Sequence, residues 1–237
     1  RAGVNITTSN SNICIGSRAG QSITTSSGFA NTIIGTEAGA NSSTSGATTI
    51  GWLAGNRSNT VSVGDQAGRS ASGSANLSVH IGSNAGYSNS GSTSIITGGF
   101  AARNNSRDGH TSIGYNAGYS NTSGQQNTNI GYEAGYSNTT NAFRTCIGWK
   151  AGKLNTGSGN TFIGNNAGAD RANVEGSSTA VGNSAGRYWE SGSNTALGEN
   201  AGSYANGTSR YNVMVGREAL GGAFGSKSNN VAVGYKS

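Results

Sequence analysis

The sequence predicts an all-β protein, a parallel β-solenoid (β-roll) of about fourteen short coils. Three observations predict it. One phrase keeps returning, as NTIIGTEAG at 31–39, NTNIGYEAG at 127–135, NTFIGNNAG at 160–168 and NTALGENAG at 194–202. Glycine accounts for 41 of 237 residues, proline is absent and hydrophobic residues reach only 32%, which excludes a thick Leu/Phe core. The few apolar residues also recur at constant offsets, an order that low-complexity disorder lacks.

The strand is the first element of the repeat. Setting the Gly that closes each apolar stretch as position 0 places it at Gly16, Gly35, Gly51, Gly64, Gly82, Gly98, Gly114, Gly131, Gly148, Gly164, Gly182, Gly198, Gly216 and Gly234. Position −3 is β-branched in every repeat, and position −1 is Ile, Val or Leu everywhere except Thr97. Side chains two apart share one face of an extended chain, so each phrase predicts a strand of about five residues with one near-constant face. Position −2 points the other way and varies, from Cys14 to Ser62, His80, Asn129 and Phe162.

The corner follows. Position +3 is Ala in the thirteen repeats from Ala19 to Ala219, and Gly follows it in eleven. A fixed small residue predicts a tight interior corner, and the glycines predict turns of positive φ. The Ser/Asn/Thr/Gly stretch that remains absorbs every change in spacing, from 13 to 19 residues, as insertions do in a solenoid. In-register stacking sets equal positions of successive coils about 4.8 Å apart. At +2 this brings Arg18 beside Glu37, Glu133 beside Lys150 and Glu218 beside Lys236, with no like charges adjoining, a pattern that favours stacking.

Fourteen rungs predict a rod on the order of 65 Å long. So thin a coil is marginal by itself. The variable strand face or the Ala-Gly corner is the surface expected to pack between copies, in a homotrimer. Residues 1–237 read as a single array. The chain opens on Arg1-Ala2-Gly3, matching the RAG of 18–20, and closes inside a repeat with VGYKS. With no polar capping coil at either end, the expectation is a segment of a longer fibre, or copies joined end to end into a filament.

The phrase N-T-x-I-G-x-x-A-G, as at 31–39 and 160–168, resembles the head repeats of trimeric autotransporter adhesins and similar repeats in bacteriophage tail fibres. The resemblance covers essentially the whole chain. It implies narrow parallel β-rolls bundled in threes as a stiff extracellular attachment fibre, on a virion tail or a bacterial surface. Its implied partners are further copies of the chain and a host surface polysaccharide or receptor. The adhesin head coil is typically shorter than these, and neither neck, coiled-coil stalk nor anchor is visible. No catalytic residue carries over.

The residues themselves point away from an enzyme. Cys14 and Cys146 lie eight coils apart, beyond disulfide reach, and read as small semi-buried hydrophobes. His80 and His110 stand alone, without a CxxC, HExxH or EF-hand pattern, so no metal or other cofactor is expected. Asp108, Asp170, Glu175 and Glu190 fall in variable stretches. Nothing in the repeat frame faces two carboxylates across a groove, as a glycan-depolymerising tailspike requires. Neither Ser191 nor Ser193 sits in a nucleophile elbow. Lys and Arg outnumber Asp and Glu by 15 to 9 but are scattered, so no nucleic-acid partner is expected. No run approaches the roughly 20 apolar residues of a membrane span.

The binding chemistry lies in the aromatics. Position +1 carries Tyr115, Tyr132 and Trp149 in three successive coils, and position +5 carries Tyr87, Arg103, Tyr119, Tyr136 and Lys153 in five. Rings and amides suit a sugar groove, and the cations suit acidic glycans. The same ladders would also brace the rod or fill a seam between copies. The rival reading of the chain is an ice-binding solenoid with a flat threonine array. Thr occupies eight of the fourteen −3 positions, unbroken from Thr111 to Thr195.

Overall fold

Each repeat forms one strand of three residues, positions −3 to −1, and the flanking backbone explains why it is shorter than the five expected. Position −5 has positive φ in every repeat, and the Gly at position 0 has φ between 123° and 137°. Extended pairing runs through neither. The computed structural model describes residues 1–3, 11–21, 23, 30–40, 45–55, 58–70, 77–171, 175–204, 209–222 and 228–237.

Among the described residues there are fourteen parallel strands, in two compact units, Arg1–Ile113 and Gly114–Ser237. The first unit is a β-solenoid of β1 (Ile13–Ile15), β2 (Thr32–Ile34), β3 (Thr48–Ile50), β4 (Val61–Val63), β5 (Val79–Ile81), β6 (Ile95–Thr97) and β7 (Thr111–Ile113). The second is a β-solenoid of β8 (Thr128–Ile130), β9 (Thr145–Ile147), β10 (Thr161–Ile163), β11 (Thr179–Val181), β12 (Thr195–Leu197), β13 (Val213–Val215) and β14 (Val231–Val233). Within each unit successive strands pair in sequence order and without offset, as Thr32 with Thr48 or Thr161 with Thr179.

The variable strand position is the interior one. Thirteen of the fourteen −2 side chains are buried and Cys14 is half-buried, whereas the near-constant −3 and −1 side chains are half-buried or exposed. The thirteen +3 alanines are buried as well. This corrects the expectation that the variable face or the Ala-Gly corner packs between copies, because both are enclosed by their own coil. Interior volume explains part of the variation. Phe162 stacks between Cys146 and Ala180, and Met214 between Ala196 and Ala232, so a large side chain is compensated by small neighbours at a fixed cross-section.

Two overlapping turns lead out of the strand. The Ala134 N–H donates to the Gly131 carbonyl (3.3 Å) and the Tyr136 N–H to the Glu133 carbonyl (3.3 Å), and this pattern recurs along the chain. Such turns, with positive φ at their third residue, favour Gly or Asn there. Gly at +4 supplies it, yet position +2 also has positive φ in all fourteen repeats and holds Glu37, Leu53 or Phe100 as readily as Asn84. The ladder between coils imposes that conformation. The Glu133 N–H donates to the Tyr115 carbonyl (2.9 Å) and the Lys150 N–H to the Tyr132 carbonyl (2.8 Å).

The Asn that opens seven of the fourteen repeats, at position −4, is structural. Its buried amide oxygen accepts the backbone N–H at the same position one coil on, from Ala47 to Asn31 (3.0 Å), Asn212 to Asn194 (3.1 Å) and Asn230 to Asn212 (3.0 Å). A second buried amide column stands at +7, with Asn89 and Asn105 in the first unit and Asn121, Asn138 and Asn155 in the second. These amides satisfy backbone groups that a thin interior would otherwise leave unpaired.

Charges close the coils from outside. Arg18 pairs with Glu37 (2.9 Å) and Lys236 with Glu218 (3.5 Å) as expected, but Glu133 takes Lys153 (2.7 Å) in place of Lys150. Lys150 instead lies over Trp149, its Nζ 4.0 Å from the ring centroid. Asp170 pairs with Arg187 and Glu190 with Arg171. Glu175 accepts hydrogen bonds from the Gly192 N–H (3.0 Å) and from Arg210 Nε (2.8 Å), 35 residues along the chain.

The Gly192 N–H, and after it Arg210, holds the Glu175 carboxyl below its ordinary value. A depressed carboxylate contributes stability above its ordinary titration range and loses it as pH falls through the lowered one. Glu175→Gln is therefore expected to melt modestly below the parent near about pH 7, the difference vanishing as pH drops below 4.5. Thermal melts across this range check it, and a pH-independent difference would count against it.

Candidate functional site

The two overlapping turns carry positions +1, +2 and +5 to the outside of each coil while +3 stays enclosed, and stacking turns each position into a column. In the first unit, Tyr87 has the Arg69 guanidinium 6.0 Å and the Arg103 guanidinium 5.3 Å from its ring centroid. Arg103 also lies 6.0 Å from the Phe100 ring. In the second unit, Tyr119 and Tyr136 stack at 5.3 Å and 5° between planes, with Lys153 Nζ 6.0 Å from the Tyr136 ring. Tyr115 stacks on Tyr132 (5.7 Å, 14°), and Tyr132 on Trp149 (6.4 Å, 15°).

Glu133, a residue of the charged +2 column, joins these two columns. It pairs with Lys153 of the +5 column, and its charge and a hydrogen bond hold the neighbouring Tyr132 phenol above its ordinary pKa. All six candidates in the second unit thus form one surface around Glu133. Tyr87 and Arg103 form a separate stack in the first unit. A further pair at +6, Tyr188 and Tyr204, stacks at 5.0 Å and 20°, with the Arg187 guanidinium 5.0 Å from the Tyr188 ring. Its signal was present in the sequence, as Tyr at +6 in two successive repeats.

Stacking decides what these columns offer. Nearly parallel rings at coil spacing turn their faces to one another or to a cation. Tyr115, Tyr132 and Trp149 remain exposed, so what reaches solvent is a file of ring edges, phenol hydroxyls and ammonium groups. A sugar would meet them through hydrogen bonds along the edges, not by stacking on an open face. Among the described residues no three His, Cys, Asp or Glu side chains gather as a metal site, and no helix is long and apolar enough to cross a membrane. Comparison of the chain with protein families, characterised proteins and solved structures returned no match.

Proposed function

We propose that the chain is a structural segment of an extracellular attachment fibre, of the phage-tail or bacterial-surface kind, in which copies pack as a homotrimer. One observation carries this reading. The −3 and −1 side chains of all fourteen repeats are outward, and not one of those positions is charged. A solvated sheet face acquires Lys, Glu and other charges, which also guard against unwanted pairing. An uncharged β-branched face repeated along the chain is instead suited to burial against another surface. The proposed mechanism is mechanical, with short coils stacked through the backbone ladders of each unit serving as a spacer that would carry a binding tip. The aromatic columns, with Tyr87, Arg103, Tyr115, Tyr119, Tyr132, Tyr136, Trp149 and Lys153, would touch host polysaccharide along its flanks.

Light scattering tests the packing. The parent is expected at about three times the 23.6 kDa chain mass, and the double variant Ile147→Lys/Ile163→Lys at the mass of one chain with its β-sheet circular dichroism retained. A monodisperse, folded parent at 23.6 kDa would overturn the reading.

The outward threonines favour a second reading, ice binding. Thr128, Thr145, Thr161, Thr179 and Thr195 stand in register on one face. Val213 and Val231 then end the hydroxyl row, which suits a contact between chains better. Thermal hysteresis in a freezing assay separates the two.

A further inference from the structure

The outward face repeats once per coil, about every 4.8 Å. From β8 to β12 it presents Thr at each −3 position and Ile, Val or Leu at each −1 position. A slip of one coil between copies there exchanges like for like, and surfaces of this kind specify register weakly. Level alignment of copies therefore needs residues that break the repeat.

Position −5 has them. In the repeats of β5, β9 and β13 it holds Leu77, Phe143 and Tyr211, four repeats apart, and in every other repeat a Ser, Ala, Gly, Asn, Thr or Gln. The three are 66%, 64% and 62% exposed, while the −4 side chains that follow them, Ser78, Arg144 and Asn212, are buried. Each large side chain thus leaves the coil two residues before the outward strand. Their φ angles are 59°, 59° and 57°, a region that strains bulky residues. The backbone ladder demands the conformation, since the Phe143 N–H donates to the Gln125 carbonyl (3.0 Å) and the Tyr211 N–H to the Ser193 carbonyl (3.0 Å). Gly109 and Gly159 meet the same demand without strain. A large apolar residue here is both strained and exposed, so its benefit lies outside its own chain.

We propose that Leu77, Phe143 and Tyr211 set the axial register between parallel copies of this chain. With copies level, symmetry brings like residues to one height. Within either unit, a slip of one, two or three coils sets Leu77, Phe143 or Tyr211 against a small or polar position. The proposal rests on the reading that copies pack through the outward face.

Interspin distances test it. A nitroxide is placed at the exposed Thr140 by Thr140→Cys in a Cys14→Ser background, Cys146 being buried. The parent is expected to give one narrow distance. The variant Leu77→Ala/Phe143→Ala/Tyr211→Ala is expected to keep the parent's mass and add longer distances from copies offset by whole coils, in steps of about 4.8 Å. An unchanged single distance in that variant would overturn the register claim alone, placing register elsewhere, such as at Trp149. Monomers from the variant alone would overturn it too, by showing that these residues hold copies together instead of aligning them. A parent with no interspin distance and the mass of one chain would defeat the packing reading itself.

Discussion

Gly131→Ala is expected to destabilise the second unit by roughly 2–6 kcal/mol, combining about 1–3 for backbone strain with about 1–3 for overpacking. Gly131 has φ of 131°, and a Cβ there would lie 2.3 Å from the Gly148 carbonyl oxygen and 2.7 Å from its carbon. Those atoms are backbone, so no side chain can swing aside. The clash recurs up the column, where a Cβ on Gly148 would meet Gly164 and one on Gly164 would meet Gly182. Relaxing one coil therefore disturbs the next. Gly222→Ala is the control, since no heavy atom lies within 4 Å of its added Cβ, and it is expected to be near neutral. Denaturant midpoints of both variants decide the matter. A loss below about 1 kcal/mol at Gly131 would mean that the column does not require glycine.

Arg144→Met is expected to stabilise, by about 1–4 kcal/mol. Arg144 is 1% exposed, inside the coil of β9. Its Nη2 donates to the Gly152 carbonyl (3.3 Å) and lies 3.6 Å from Cys146 Sγ, but Nε and Nη1 find no partner. No carboxylate is among the buried side chains of the described residues, so the guanidinium has no buried counter-ion. Removing a desolvated, half-satisfied cation in favour of a flexible apolar chain of similar length recovers that desolvation. The melting temperature should rise by ~2–4 °C for each kcal/mol gained in a chain of this size. Burial raises the Cys146 thiol pKa and Arg144 offsets part of the rise, so the variant should push the thiol further up. A lower melting temperature in Arg144→Met would show that the guanidinium is better satisfied than its neighbours imply.

The repeat frame and the parallel stack were legible in the residues because stacking acts on every coil alike. Glycine at position 0 is needed where a Cβ would enter the next coil's backbone, and Ala at +3 where the corner closes. Both constraints recur, so both appear as columns in the sequence. The aromatic columns were legible for the same reason, since one offset per coil is one file on the surface. The strand's orientation was not. Constancy at −3 and −1 reads equally as a core or as a contact, and only the closed coil shows that −2 is enclosed, its identity set by the volume that Phe162 or Met214 leaves to its neighbours. Nor do the residues at +2 and −5 reveal their positive φ. The inter-coil hydrogen bonds impose that conformation on Glu133 and Phe143 alike, and a backbone demand met by the fold leaves no residue type behind. The partner of Glu133 was likewise decided in three dimensions. Lys150 and Lys153 are both near in sequence, but Lys150 lies over Trp149 and Lys153 reaches the carboxylate. What recurs in every coil is written in the sequence, and what depends on how one coil fills or touches the next is settled only when they stack.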